Sequence, residues 1–509
     1  MKKTLLVLTC LILFAFNSVG QVTEPLWTVK AVKQIDGYGR FEEVLLNTAA
    51  IDKYYFSNNE YLLLPLTDKN GNVIIADMVV MPMNNVKVKI NNAAYSNSIQ
   101  MPKLFRGKIR GLSARHDVLL TMAPGYLSVS AFLPGETITL EQDSRNNNNF
   151  VLLNSASIKQ EKINWQCGVP DEMPAPKVNR QQVTTGTGAT LAASDKCIFV
   201  FVDCANRLFI NQSRSVQTTI NYVYGIWNGI RTAFGNEQLN VFISEINVWT
   251  VADPFDASST TTVANKSFAD YYKDNYWGNM AMLLDWSMLN AAIAGGYGWA
   301  KGKTPNECGN YIANPNPAWN FGSFIYNNLN PAVFGTLTYS NAPEPATAHQ
   351  VDISTHELGH LFSSWHTHSC NWPGGPIDNC VPREGTCTAG PAPTNGGTFM
   401  SYCDQTAAGV NFNNGFGTLP GDTIRQFVVN NSCISICNEC VQNNTIGAVN
   451  TPGFHQYEVS NQIIANGSIN AAGSFIKLDA GNKVVLQPGF RAGEGSKVQV
   501  IIDGCGGIR

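Results

Sequence analysis

Charge is scarce in this chain. Only 14% of its 509 residues are charged, and 34 basic against 37 acidic side chains leave a net charge of −3. That balance lacks the positive field that a nucleic-acid partner needs, so no such partner is expected. After the first twenty residues no segment approaches the 18 unbroken apolar residues of a membrane-spanning helix, so no membrane span is expected either. Calcium sites stay open but unmarked, because neither an EF-hand loop nor a nonapeptide repeat occurs. What the chain does have is length for about three domains and a sizeable core. It also has 44 Gly and much Asn, Thr and Ser, which suits a secreted, β-rich protein.

Residues 1–20 carry Lys2 and Lys3, a mostly apolar run from Leu5 to Phe16, and then Ser18-Val19-Gly20. This is the pattern of a secretory signal peptide cleaved after Gly20, too short for an anchor, and it implies a secreted, extracellular protein. Of 13 cysteines, Cys10 leaves with the signal and the others suit an oxidising compartment. Cys167 stands alone. Cys370, Cys380, Cys387 and Cys403 crowd together, at spacings too irregular for a four-cysteine zinc site. Their pairing cannot be read from sequence.

The expected fold is α+β. Residues 21–193 read as a β-rich segment. Runs at 62–66 and 73–81 flank Asn70-Gly71, a hairpin signal, and strands continue at 117–122, 126–132 and 136–141. Residues 172–193 lack periodicity and read as an exposed, cleavable linker containing Lys177 and Arg180. From 194 the pattern becomes mixed. A short strand at 198–202 precedes Val216, Ile220, Val223, Trp227 and Ile230 at helical spacing, ending near Gly235. Strands are expected within 239–249 and 280–286, and a short helix at 268–276. Residues 440–509 read as stacked short strands at 463–464, 475–478, 483–486 and 497–502, a small solenoid-like all-β module.

The chemistry concentrates at His356-Glu357-Leu358-Gly359-His360 and at His366. A helix advances about 100° per residue, so His356 and His360 share one face roughly 6 Å apart and can bind one metal ion. Glu357 then sits beside the metal, where a general base belongs. On a continuous helix His366 would lie about 240° away, so the helix must stop after His360 and the chain fold back. Asp352 or Ser354 is expected to cap its start. Three His ligands leave one position on zinc open for water, which marks a catalytic site. His368 is a competing third ligand.

The run from His356 to His366 resembles the H-E-x-x-H-x-x-G-x-x-H signature of the metzincin metallopeptidases, with Ser363 in place of the Gly. The resemblance implies His356, His360 and His366 on one catalytic Zn2+, with Glu357 as base. A non-Gly residue at the left-handed turn costs on the order of 1 kcal/mol. Gly397-Thr398-Phe399-Met400-Ser401-Tyr402 resembles the Met-turn, in which Met400 underlies the imidazoles. Tyr402 matches the tyrosine that binds zinc or stabilises the oxyanion in astacin-like and serralysin-like members.

Cys167-Gly168-Val169-Pro170-Asp171 resembles the cysteine switch of matrix metalloproteinase propeptides, with Gln166 where that family has Arg. A thiolate is a good zinc ligand, so the resemblance implies a latent precursor blocked by Cys167. Lys177 and Arg180 are candidate points for an activating protease. Phe105-Arg106-Gly107 resembles adamalysin-type propeptides. Gly296, Tyr297 and Gly298 lie in a segment similar to the one bordering the adamalysin cleft, where substrate pairs with a sheet edge; a plain glycine loop is the other reading.

Together these features resemble an adamalysin- or reprolysin-like group of secreted bacterial zinc endopeptidases acting on proteins or peptides. The implied order is a β-rich propeptide (21–193), a metzincin domain of mixed twisted sheet and active-site helix (194–439), and the β module (440–509). That last module resembles one in secreted bacterial proteins, closed here by Cys440 and Cys505, and is either a surface- or carrier-binding element or a passive stabiliser. Two alternatives stay open: a pappalysin-like peptidase, and an adhesin or matrix-binding protein with an inactive peptidase domain.

Overall fold

A computed structural model describes residues 24–169, 196–294, 323–330 and 346–502, except 58–59, 85, 96–97, 113–116, 144–148, 159–164, 256–259, 274, 290, 432, 435–436, 438–442, 451–453, 460 and 471–473. The expected leader (1–20), Lys177, Arg180, Gly296, Tyr297, Gly298, Cys440 and Cys505 all lie outside the described residues.

The N-terminal part is β-rich, built on a nine-stranded antiparallel sheet. Its hairpin Tyr61–Thr67 and Val73–Val80 turns at Asp68, whose Oδ1 accepts the Asn70 and Asn72 amides, and at Gly71 with φ 82°. Strands Asp117–Ala123 and Tyr126–Leu133 are buried along their whole length. Alternation explains this, because successive side chains point to opposite faces. Val118, Leu120 and Met122 pack with Ala50 and Ile51 of helix α1 (Thr48–Phe56), while Leu119 joins the larger core beyond.

That larger core surrounds an eight-stranded mixed sheet in the order Gln166–Cys167, Ala291–Ala294, Phe324–Asn328, Met280–Asp285, Cys197–Cys204, Asn240–Val248, Lys87–Ile90, Ala93–Ala94. Its central pairings are parallel, and Ala291–Ala294 runs antiparallel to its neighbour Phe324–Asn328. Both rims are supplied from before residue 170: Lys87–Ile90 pairs with Glu245–Val248, and Gln166–Cys167 with Ala291–Ala292.

Helices α2 (Asn206–Asn211), α3 (Val216–Asn236), α4 (Thr261–Tyr272) and α5 (Ala346–Leu361) accompany this sheet. Gly229 lets α3 approach α5, since a Cβ there would meet Val351 Cγ2 at 2.5 Å. On its other side α3 meets the N-terminal sheet, where Asn228 Nδ2 donates to the Leu120 carbonyl at 3.1 Å.

Two boundaries differ from expectation. Helix α5 starts at Ala346, so Asp352 and Ser354 are internal and buried and cap nothing. Pro345 stands just before it, and proline is favoured at a helix start, where its missing N–H is not needed. Helix α4 starts earlier than 268 because Thr260 Oγ1 accepts the Val263 amide at 3.2 Å. A final helix, α6 (Thr418–Asn430), precedes the C-terminal strands. Those strands pair in parallel, with Asn443, Asn461 and Asn482 forming a side-chain ladder over a core that includes Ile463, Ile476 and Leu478.

Candidate metal centre

Helix α5 carries His356, Glu357 and His360, and its last turn delivers the third ring. Ser364 N–H bonds the Gly359 carbonyl at 3.1 Å and Ser363 N–H the His360 carbonyl at 2.8 Å, with Ser363 at φ 77°. This is the Schellman arrangement, with Ser363 where glycine is favoured. The chain turns back there, and Nε2 of His360 lies 3.0 Å from Nε2 of His356 and 3.1 Å from Nε2 of His366.

Each outer ring nitrogen has its own acceptor. Nδ1 of His356 meets the Phe399 carbonyl at 2.7 Å, that of His360 the Ser364 carbonyl at 2.8 Å, and that of His366 the Glu384 carboxylate at 2.5 Å. With Nδ1 protonated to serve those acceptors, three Nε2 lone pairs converge on one point. Three converging lone pairs repel unless a cation joins them. Tetrahedral zinc, with Zn–N of about 2.0–2.1 Å, sets its nitrogens about 3.3 Å apart, so the residues fit the ion. Burial and mutual proximity hold His356 and His360 well below the usual imidazole range, which favours the neutral, ligating form.

Cys167 comes to the same point. Its Sγ and the three imidazoles have ligand atoms all within 4.8 Å of one another. Its backbone N–H donates to the Tyr402 hydroxyl at 3.2 Å, and the next amide, Gly168 N–H, to the Ala292 carbonyl at 2.8 Å. Gly168 is tied to this close approach, because a Cβ would lie 2.8 Å from Ile293 Cδ1. The thiol also donates to Glu357 Oε2 at 3.6 Å. Burial raises Glu357 to about 8, opposed by the Cys167 thiol, His366 and the Ala294 backbone.

Met400 is fully buried beneath α5, where a Cβ on Gly359 would reach its Sδ at 2.4 Å. Its carbonyl accepts the Thr367 amide at 2.9 Å, so one turn supports two sides of the ring cluster. Tyr402 Oη lies 3.4 Å from His366 Nε2. His368 stands outside the cluster: it stacks on His366 at 5.1 Å and reaches Glu384 at 2.8 Å. The surrounding loop is pinned by disulfides Cys370–Cys387 and Cys380–Cys403, and a third, Cys197–Cys437, ties the first strand of this region to its end. Sequence reasoning missed Glu384 and Trp165. Trp165 lies two residues before Cys167 and is fully buried, with its ring edge-on to His356 at 5.0 Å.

A search of the curated proteins finds no match. Among solved structures, the chain is similar to metalloproteinase-II from Bacteroides fragilis at 12% identity and a TM-score of 0.35, covering 62% of this chain and 85% of that one. It is also similar to a chain of a chaperone-substrate complex at 11% identity and a TM-score of 0.22, covering 36% and 26%. Residues 195–413 match the model Reprolysin_5 of metallo-peptidase family M12, and the imidazole cluster and Glu357 lie within that matched stretch.

Proposed function

We propose that the chain is a secreted zinc endopeptidase of metzincin type, in the motif order of the adamalysin-like group, made as a latent precursor that its own Cys167 blocks. One observation carries the reading: three Nε2 atoms and the Cys167 sulfur converge beside the Glu357 carboxylate. His356, His360 and His366 would hold the ion, and Cys167 would fill its fourth position in the precursor. When bound, zinc acidifies water and polarises a peptide carbonyl.

The chain's own groups do the rest. The buried Glu357 carboxylate takes a proton from the attacking water and later gives it to the leaving amine. Tyr402 Oη, which accepts the Cys167 amide in the precursor, is uncovered once that strand leaves, and its O–H can then donate to the developing oxyanion. The backbone carbonyls on His356 and His360, with Glu384 on His366, keep the rings oriented throughout. Met400 supplies an apolar floor. The exposed rim of Ala291–Ala294, once Gln166–Cys167 is removed, offers backbone groups for an extended peptide.

Glu357→Ala in the processed protein should keep one zinc per chain by elemental analysis and lose about 10²–10⁴-fold in casein hydrolysis. Undiminished hydrolysis would overturn the assignment of the base. Full-length Cys167→Ser should be active without processing, and a mutant as silent as the wild-type precursor would remove the latency role.

A further inference from the structure

Trp165 heads the fully buried side chains by size. It and Cys167 lie two residues apart, on one face of an extended segment. The indole sits with Ala292 and Ile353, edge-on to Tyr402 at 5.5 Å. Its seat is apolar along the walls and acidic at the floor. Nε1–H donates to Asp404 Oδ2, while Oδ1 of Asp404 and Oδ1 of Asp352 are buried without a partner among the described residues. Asp352 is only 7% exposed. One oxygen from each acid and a ring nitrogen of His349 lie within 4.8 Å of one another. Burial raises Asp404 to about 7 and Asp352 well above the usual carboxylate range. An apolar plug needs no acids beneath it, and with the indole on Asp404 Oδ2 alone, Oδ1 of Asp404 and Oδ1 of Asp352 stay underserved among the described residues.

We propose that the seat of Trp165 is a substrate subsite for a long basic side chain, Lys or Arg. The stem would lie between Ala292 and Ile353 and the cationic head on Asp404 and Asp352. This rests on the endopeptidase reading above. Lys and Arg have the matching division, an apolar stem with a charged tip. A guanidinium brings five donors and an ammonium three, where indole brings one. Pairing with a cation also returns the two acids to the ionised form that burial opposes. In the precursor, Trp165 is the donor-bearing stand-in for that side chain.

Two measurements test this. In the full-length chain, Trp165→Ala, Trp165→Phe and Trp165→Lys are compared for residual proteolysis before processing. Trp165→Lys should stay as silent as wild type, with Trp165→Phe leaking more and Trp165→Ala at least tenfold more. Better latency with Phe than with Lys would overturn the acidic floor. In the second, the matured chain is profiled on matched peptides differing only in Lys or Arg against Leu or Phe beside the scissile bond. A preference of at least tenfold for the basic residue is expected, and Asp404→Asn should collapse or invert that ratio. If Asp404→Asn fails to fold, Asp352→Asn reads the same ratio. Cleavage with no basic preference, or an unchanged ratio in the variant, defeats this inference alone. A chain that cuts no peptide removes the endopeptidase reading and this inference with it.

Discussion

Ser363 holds φ 77° with its side chain fully buried and its hydroxyl unpartnered among the described residues. Both the left-handed backbone and the unpaired hydroxyl disfavour serine here. Ser363→Gly should therefore stabilise the protein by about 1 kcal/mol, read as a raised midpoint in denaturant unfolding. A lower midpoint would mean that Ser363 makes a compensating contact. The need for a turn at this position was legible, because His366 joins the cluster only if the helix stops. Glu384 was not legible: it lies 18 residues beyond His366 in an irregular loop, and no spacing rule links the two. Glu384→Gln keeps an acceptor without the charge and should weaken zinc binding about 10–100-fold in a chelator competition. Unchanged affinity would mean that its carboxylate does not tune the His366 ring.

Helix α5 illustrates what periodicity reveals about an element and what it hides. The i, i+4 spacing placed His356 and His360 on one face, a consequence of helical geometry alone. The start of the helix escaped because Asp352 and Ser354 look like caps, yet both lie buried within the helix, where Asn327 Nδ2 donates to Ser354 Oγ at 3.1 Å. The underside depends on Gly359, whose missing Cβ admits Met400 and, at 3.1 Å, Phe416. Gly359→Ala overpacks that contact and should lose about 1–3 kcal/mol. Because the turn at Met400 also presents the Phe399 carbonyl to His356, zinc affinity should fall with it. Combining Gly359→Ala with Met400→Ala should cost less than the two single changes added, a coupling that a double-mutant cycle measures. Strict additivity would mean that the two side chains do not meet.

The whole molecule is held by pairings that no local pattern announces. Strand Lys87–Ile90 completes the rim at Glu245–Val248, and Lys89 Nζ meets Glu245 at 2.8 Å. At the opposite rim Gln166–Cys167 closes over Ala291–Ala292. Between the rims Phe132 stacks on Phe412 at 3.9 Å, Asn413 Nδ2 donates to the Phe132 carbonyl at 3.1 Å, and Met81, Leu104 and Leu119 share a core with Ile198 and Trp227. Short strands so far apart in sequence carry no mutual signal in one chain, so the β-rich character of the N-terminal part was readable and its docking was not. The docking makes a prediction about activation. Cutting the chain between 172 and 193 breaks one covalent connection and touches none of these contacts. The N-terminal part should therefore stay bound after a nick, co-eluting with the remainder on size exclusion in native buffer. Activity should rise only when that part is degraded further or displaced by mild denaturant. Separation of the two pieces on nicking alone, with activity rising in the same step, would show that the paired rims contribute little to holding them together.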